Sequence, residues 1–321
     1  MSKRWNQTRV ASALGVQYPI IQGPLGGSSS QRLTAAVSNF GGLGSFGSHG
    51  LEPHAIKDVI AEIRSLTSKP FAMNLWVSME DPGAAVSDAT AFQRALSHLA
   101  PHIKAVEGTQ PTFSPYNAIR FEDQARVLLD AKVPVFSFIF GIPPKEILDE
   151  AGKQGIITIG TATTPDEALA LEQAGVNLVV ASGFEAGGHR GSFLRSSEDS
   201  LTGTISLVPQ TVDAVRIPVI AAGGIADARG IAAAFALGAE GVQMGTHPST
   251  TCRAAMRTCR YSFGQRITPI VRTKAIARTT AFPSAKRDRN MPSGLTKTHM
   301  RRSRTLRSTW RFIPRGSIQS K

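Results

Sequence analysis

The chain has 321 residues, 41% of them hydrophobic, which suits one large barrel or two ordinary domains with an ample core. No apolar run approaches the roughly 18 residues of a membrane span, and the N-terminal MSKRWNQTRVASALG lacks the apolar stretch of a secretory signal. The formal net charge of +13 invites a nucleic-acid partner, but 18 of the 36 lysines and arginines lie from Pro248 onward beside a single acid, Asp288, so the basic excess belongs to that segment and says nothing about the rest.

A first strand is read over Tyr18–Gln22, running into Gly23-Pro24-Leu25-Gly26-Gly27. A helix follows over Gln31–Phe40, with Ser28 to Ser30 as candidate caps. Strand two is Gly42–Gly47; Pro53 then opens an amphipathic helix to about Leu66, and strand three is Phe71–Val77. The region from Met79 to Asp130 is longer than one crossover needs. It is read as two helices, around Ala91–Leu99 and Glu122–Asp130, joined by the proline-rich loop Pro111–Pro115. Such an excursion at a barrel mouth shapes a substrate cavity. Pro101 is expected to interrupt any helix between His98 and His102, which are read as surface residues.

Strand four is Pro134–Phe140, followed by a helix from Lys145; strand five is Gly155–Gly160. Thr164-Pro165 then opens a helix that ends by Gly175. Strand six begins at Val176 and breaks at Ser182-Gly183. Strand seven is Ile217–Ala222, Asp227 caps a helix to about Leu237, and strand eight is Gly241–Thr246. Eight apolar strands, seven of them followed by a helical segment, predict a parallel sheet closed into a TIM-type (β/α)8 barrel over residues 18–247, behind a lead-in at 1–17. No GxGxxG follows the first strand, so a dinucleotide-binding Rossmann domain is the weaker choice.

Past Thr246 the texture changes. Residues 248–321 are rich in Arg, Ser, Thr and Pro without helical or strand periodicity, and only Arg253–Arg260 offers an eighth barrel helix. Disorder is the expectation for this basic tail. Its abrupt onset equally resembles the product of a reading-frame shift or a wrong exon boundary. Cys252 and Cys259 lack metal-ligand spacing, which fits a reducing, cytoplasmic compartment, with a short organellar transit segment left open.

The chemistry concentrates at strand ends. Strand six leads into Ser182-Gly183-Phe184-Glu185-Ala186-Gly187-Gly188-His189-Arg190-Gly191, an imidazole among glycines that let a ligand approach the backbone. Read alone, this is a glycine-rich turn with an exposed histidine. Strands seven and eight end in Gly223-Gly224-Ile225 and Gly245-Thr246, where barrels of this kind form a phosphate site from backbone N–H groups; the plain alternative is a pair of tight turns. Asn74, near the end of strand three, is a buried amide that needs partners, from a cofactor edge or from neighbouring loops. Glu185 is read as a solvated acid in preference to a partner of His189 or Arg190, and the remaining histidines carry no signal.

Taken together, YPIIQGPLGG (Tyr18–Gly27), the Asn74-Leu75 step in FAMNLWV, SGFEAGGHRG (Ser182–Gly191) and AAGGIADARGIAAAFALGAEGVQMGT (Ala221–Thr246) resemble the nitronate monooxygenases, formerly called 2-nitropropane dioxygenases. The resemblance implies FMN as a non-covalent cofactor. It places Gly23, Pro24 and Leu25 along the flavin, Asn74, Gly187, Gly223, Gly224, Gln243, Met244, Gly245 and Thr246 at FMN-contacting positions, and His189 as the catalytic histidine. Ser182 stands at a further cofactor-binding position, where many bacterial members carry Gln, and His247-Pro248-Ser249 departs from the small-apolar continuation usual after the Gly-Thr turn.

The implied reaction oxidises an alkyl nitronate, or a nitroalkane, with O2 to a carbonyl compound and nitrite. A nitroalkane's α-proton is acidic enough for an imidazole of ordinary pKa, about 6.5, to remove it at neutral pH. Two enzyme readings stay in play: this one, and a flavin-dependent enoyl-ACP reductase with a similar glycine-histidine loop, which would consume NAD(P)H. A nucleic-acid-binding tail is disfavoured, because no aromatic platform accompanies the arginines. A non-functional product with a damaged C-terminus is the fourth reading. Neither a membrane partner nor an oligomeric state is indicated.

Overall fold

Eight short apolar runs become parallel strands in the computed structural model, which describes residues 4–77, 89–113 and 119–245. They are β1 (Ile20–Gln22), β2 (Gly44–Gly47), β3 (Phe71–Trp76), β4 (Val135–Ile139), β5 (Ile157–Ala162), β6 (Leu178–Ser182), β7 (Val219–Ala222) and β8 (Gly241–Met244). All pair in parallel in the order β1-β8-β7-β6-β5-β4-β3-β2. The two ends of that sheet meet at Leu43, whose N–H donates to Ile20 O at 3.0 Å and whose carbonyl accepts from Gln22 N at 2.9 Å. The sheet is thereby a (β/α)8 barrel, joined at its seam by one bridge in place of a full ladder.

The sequence expectation of a barrel holds, and several boundaries move for identifiable reasons. β5 begins two residues later than Gly155, because Gly155 sits at φ +71° in the turn that ends the preceding helix. Its continuation through Thr161 and Ala162 pairs with Val180 and Ala181 of β6.

Nine helices are seen among the described residues: α1 (Arg9–Leu14), α2 (Gln31–Phe40), α3 (Pro53–Leu66), α4 (Ala89–Ala105), α5 (Phe121–Asp130), α6 (Lys145–Lys153), α7 (Pro165–Gln173), α8 (Thr204–Ala214) and α9 (Ala228–Ala236). The caps read from the sequence are in place. Ser30 accepts from Leu33 N, Thr164 from Glu167 N, and Asp227 from Arg229 N and Gly230 N.

One expectation about the helices is corrected. Helix α4 runs straight through Pro101. The carbonyl that loses its partner belongs to Ser97, which is exposed, so water replaces the missing bond. Helix α8, to which the sequence pattern assigned no bounds, likewise contains Pro209, four residues past Ile205 at 73% exposure. The lead-in carries a helix of its own. Thr8 caps α1 by accepting from Ala11 N, and Gly15 closes it at φ +64°.

Alternation along each strand sends one set of side chains inward and the other toward the helices. The inward set (Ile21, Ala72, Val135, Ile159, Val180, Ile220) forms one apolar cluster with Val10 and Leu14 of α1. Helix α1 therefore plugs the barrel at the N-terminal ends of its strands. A β-carbon at Gly241 would come within 2.9 Å of Val10 Cγ1, and Arg9 pairs with Glu240 and donates to Arg216 O at 2.7 Å. The outward set, including Phe136, Phe138, Met73 and Leu75, packs beneath the helices.

No helix among the described residues is long and apolar enough to cross a membrane. Thr246, the Arg253–Arg260 segment and the basic tail lie outside the described residues, as do parts of the Met79–Asp130 excursion.

Candidate active site

Parallel strands deliver all eight C-terminal ends to one mouth, and the loops there form two unlike walls. One wall is main chain. Gly23, just past β1, donates its N–H to Met244 O at 2.8 Å, and a β-carbon on it would lie 3.2 Å from Gly245 Cα and 3.3 Å from Met244 O. Gly223 and Gly224, past β7, sit at φ +113° and +67°. A β-carbon on Gly223 would lie 2.6 Å from Thr204 Oγ1 and 3.1 Å from Ala186 N. Positive φ favours glycine at Gly223 and Gly224, overlap disfavours any side chain at Gly223, and Gly23 leaves only tight room for a β-carbon. Directly behind them, Asp227 caps α9, its carboxyl held below the usual range chiefly by the Arg229 guanidinium.

The other wall is aromatic. Trp76, the last residue of β3, stacks on His49, two residues past β2, at 3.8 Å between ring centroids and 7° between planes. The His189 and Phe140 rings meet Trp76 edge-on at 4.7 and 4.9 Å. Phe140 adopts φ +66°, unusual for a bulky residue and a mark of local strain. Burial, and then the electrostatic influence of the neighbouring His189, push the pKa of His49 down. His49 Nδ1 is buried with no hydrogen-bond partner. The His49 ring also lies against Gly26, where any β-carbon would collide with it, so the Gly23–Gly27 loop and the aromatic wall are in contact.

Asn74 shares the inward face with Trp76, two residues on, and is 3% exposed. Its Nδ2 donates to Ser137 Oγ, the residue beside it on β4, at 3.0 Å. Its carbonyl accepts from Ser48 N at 3.0 Å and Ser48 Oγ at 2.9 Å.

The loop after β6 carries His189, which is exposed and open to a ligand. Glu185 is not a free surface acid. Its carboxylate accepts from Thr204 N at 2.9 and 3.1 Å and from Thr204 Oγ1 at 2.8 Å, at the start of α8. Burial works to raise its pKa, but those bonds, its own main-chain N–H and the Arg190 charge hold it below the usual carboxylate range. On the far side of His189, the Arg190 guanidinium donates to Ser182 O at 2.6 Å, to Thr163 O at 3.3 Å and to Ser200 O. Ser182 thus gives the loop its carbonyl.

The structure brings Gly23, Pro24, Leu25, Asn74, Ser182, Gly187, His189, Gly223, Gly224, Gln243 and Gly245 to the same end of the barrel. Met244 joins them through its main chain alone, its side chain being 1% exposed within the outer core. Trp76, His49, Phe140, Ser137, Thr204, Arg190 and Glu167 were not singled out from the sequence as site residues. For the first three, the available signal was a ring at or within two residues of a strand's C-terminal end. For the others, no local signal exists.

Comparison with known proteins follows this geometry. Residues 7–253 match the family described as nitronate monooxygenase. A probable nitronate monooxygenase of Staphylococcus aureus (strain JH9) is 43% identical over 243 residues, which cover 75% of this chain and 67% of the relative. Among solved structures, nitroalkane oxidase from Streptomyces ansochromogenes matches with a TM-score of 0.67 and 35% identity, over 77% of this chain and 69% of that one. FabK from Thermotoga maritima matches with a TM-score of 0.56 and 35% identity, over 74% of this chain and 61% of that one.

Proposed function

The chain belongs to the nitronate monooxygenase family of oxidoreductases, and from that premise we propose that it oxidises alkyl nitronates with O2 to a carbonyl compound and nitrite, using bound FMN. The observation that carries this reading is the opposition of an exposed imidazole, His189, to a wall of glycines that leaves main chain open to a ligand. The donor set fits a flat heteroaromatic ring with a phosphate tail. Gly223 and Gly224 present backbone where a phosphate would be held, Gly23 and Gly245 leave the space of absent side chains, and Asn74 and Gln243 offer amides to a polar ring edge.

FMN bound there would take electrons from the nitronate and deliver them to O2. The chain's own residues do the rest. For a neutral nitroalkane, a ring nitrogen of His189 takes the α-proton, and the imidazolium then stays beside the nitronate oxygens and stabilises their charge. A substrate already ionised needs no base, and a His189 protonated from solvent would instead hold the anion. Trp76 and Phe140 supply an apolar wall that excludes water from the reacting carbon.

The full-length protein's visible spectrum and released chromophore test the cofactor, and nitrite release from a short alkyl nitronate tests the reaction. Near-stoichiometric FMN with nitrite formation is the expected result. A colourless protein, or one that makes no nitrite, overturns the proposal. Rapid NAD(P)H consumption without nitrite would instead favour the enoyl-reductase reading, for which the likeness to FabK is the motive.

A further inference from the structure

Loops rarely hold a base still, and His189 is exposed in a loop without regular structure between the end of β6 and a short 3-10 turn at Glu198–Ser200. What immobilises it is buried on either side. Glu167, in the first turn of α7, is fully buried, and both carboxylate oxygens are occupied. Oε2 accepts from Thr163 N at 2.6 Å and Thr163 Oγ1 at 2.7 Å; Oε1 accepts from Phe193 N at 2.6 Å and Leu194 N at 3.1 Å. One carboxylate therefore fastens the far end of the His189 loop to the β5–α7 junction.

Arg190 adds the second fastening, its planar fork reaching carbonyls on the end of β6, the same β5–α7 junction and the 3-10 turn. Between the two fastenings Gly191 lies flush on Ile139, with no room for a side chain. The Glu185–Thr204 contact secures the near end.

We propose that Arg190 and Glu167 are positioning residues that hold the His189 imidazole in its proton-abstracting geometry. The inference rests on the reading of His189 as the base. A half-buried guanidinium is costly unless its charge is met, and here Glu167 and Glu185 oppose the effect of burial on Arg190. Three main-chain carbonyls on diverging elements need a fork, so a lysine, being a point donor, can replace only part of it.

Proton abstraction and nitronate oxidation separate the roles. A neutral nitroalkane needs a well-placed base, whereas a preformed nitronate does not. Arg190→Met is expected to lower kcat on the nitroalkane by roughly 10- to 100-fold, the scale of a small misplacement of a reacting group, while turnover of the nitronate falls by no more than about threefold. Arg190→Lys should recover part of the loss, and Glu167→Gln should lower the same ratio, because its amide would face two N–H donors.

His189→Ala, measured in parallel with flavin content and melting temperature, sets the reference. If His189→Ala loses nitroalkane turnover selectively but Arg190→Met lowers both substrates equally, or neither, the inference fails and the base assignment stands. If His189→Ala shows no selective loss, the base assignment fails and takes the inference with it. Should Arg190→Met fail to accumulate, the Arg190→Lys and Glu167→Gln ratios decide by the same criterion.

Discussion

On the β1–β7–β8 side of the barrel mouth the chain meets itself through main-chain atoms, and on the β2–β3–β4 side it meets itself through rings. At Gly223 the clearance is set by a missing β-carbon and a left-handed backbone. At Trp76 it is set by three neighbouring rings from three other segments, His49, Phe140 and His189. At Gly223 a substitution meets strain and overlap together, so the first wall fails abruptly there. The second has side chains that can repack, so its failures are graded.

The largest effect that would test this contrast is on the glycine wall. Gly223→Val is expected to cost about 1–3 kcal/mol from backbone strain alone, with steric overlap in addition. It should abolish flavin binding and lower the melting temperature, both read on the purified variant. Retention of a full complement of flavin would show that the wall is not rigid.

Trp76→Leu tests the other side. It removes ring contacts worth about 0.5–1.5 kcal/mol each. The variant should still bind flavin while KM rises several-fold, as steady-state kinetics would show. Loss of flavin here, equal to that of Gly223→Val, would erase the distinction between the walls.

A smaller effect concerns pH. His49 has its folded pKa pushed below the ordinary 6.5, so near and just below that pH the unfolded chain binds more protons than the native one. Stability should therefore fall as pH drops from 7 through 6.5, and His49→Gln should flatten that slope in a series of thermal melts. An unchanged slope would assign the acid sensitivity to other groups. The smallest effect is at the helix behind the glycine wall. Asp227→Ala removes the α9 cap and should cost about 1 kcal/mol in chemical denaturation without changing the preference between nitroalkane and nitronate.

The same contrast explains what the sequence could show. Gly23, Gly223, Gly224 and His189 lie in short motifs at strand ends, where spacing alone carries the meaning. His49 also lies just past a strand end, but no motif there marks it. Its significance arises only when β2 and β3 lie side by side and bring it onto Trp76. Arg190 is next to the candidate base in sequence, yet its acceptors Thr163 and Ser200 lie 27 and 10 residues away. Glu167 read as one acid in the first turn of a capped helix, and nothing local shows that two amides from Phe193 and Leu194 arrive on it. Pro101 misled in the opposite sense, because a helix face in water tolerates the bond it removes, as it does at Pro209 in α8.

Helix α1 has a consequence for how the chain comes to be folded. Arg9 and Glu240 are 231 residues apart, and Val10 seats against Gly241 at the head of the last strand. Helix α1 is synthesised long before β8 and cannot find its place until that strand has been made and paired. Contacts of such sequence separation form late and slowly. Until then, Val10 and Leu14 remain without their barrel, and the open end of the nascent sheet is where a chaperone would be needed most.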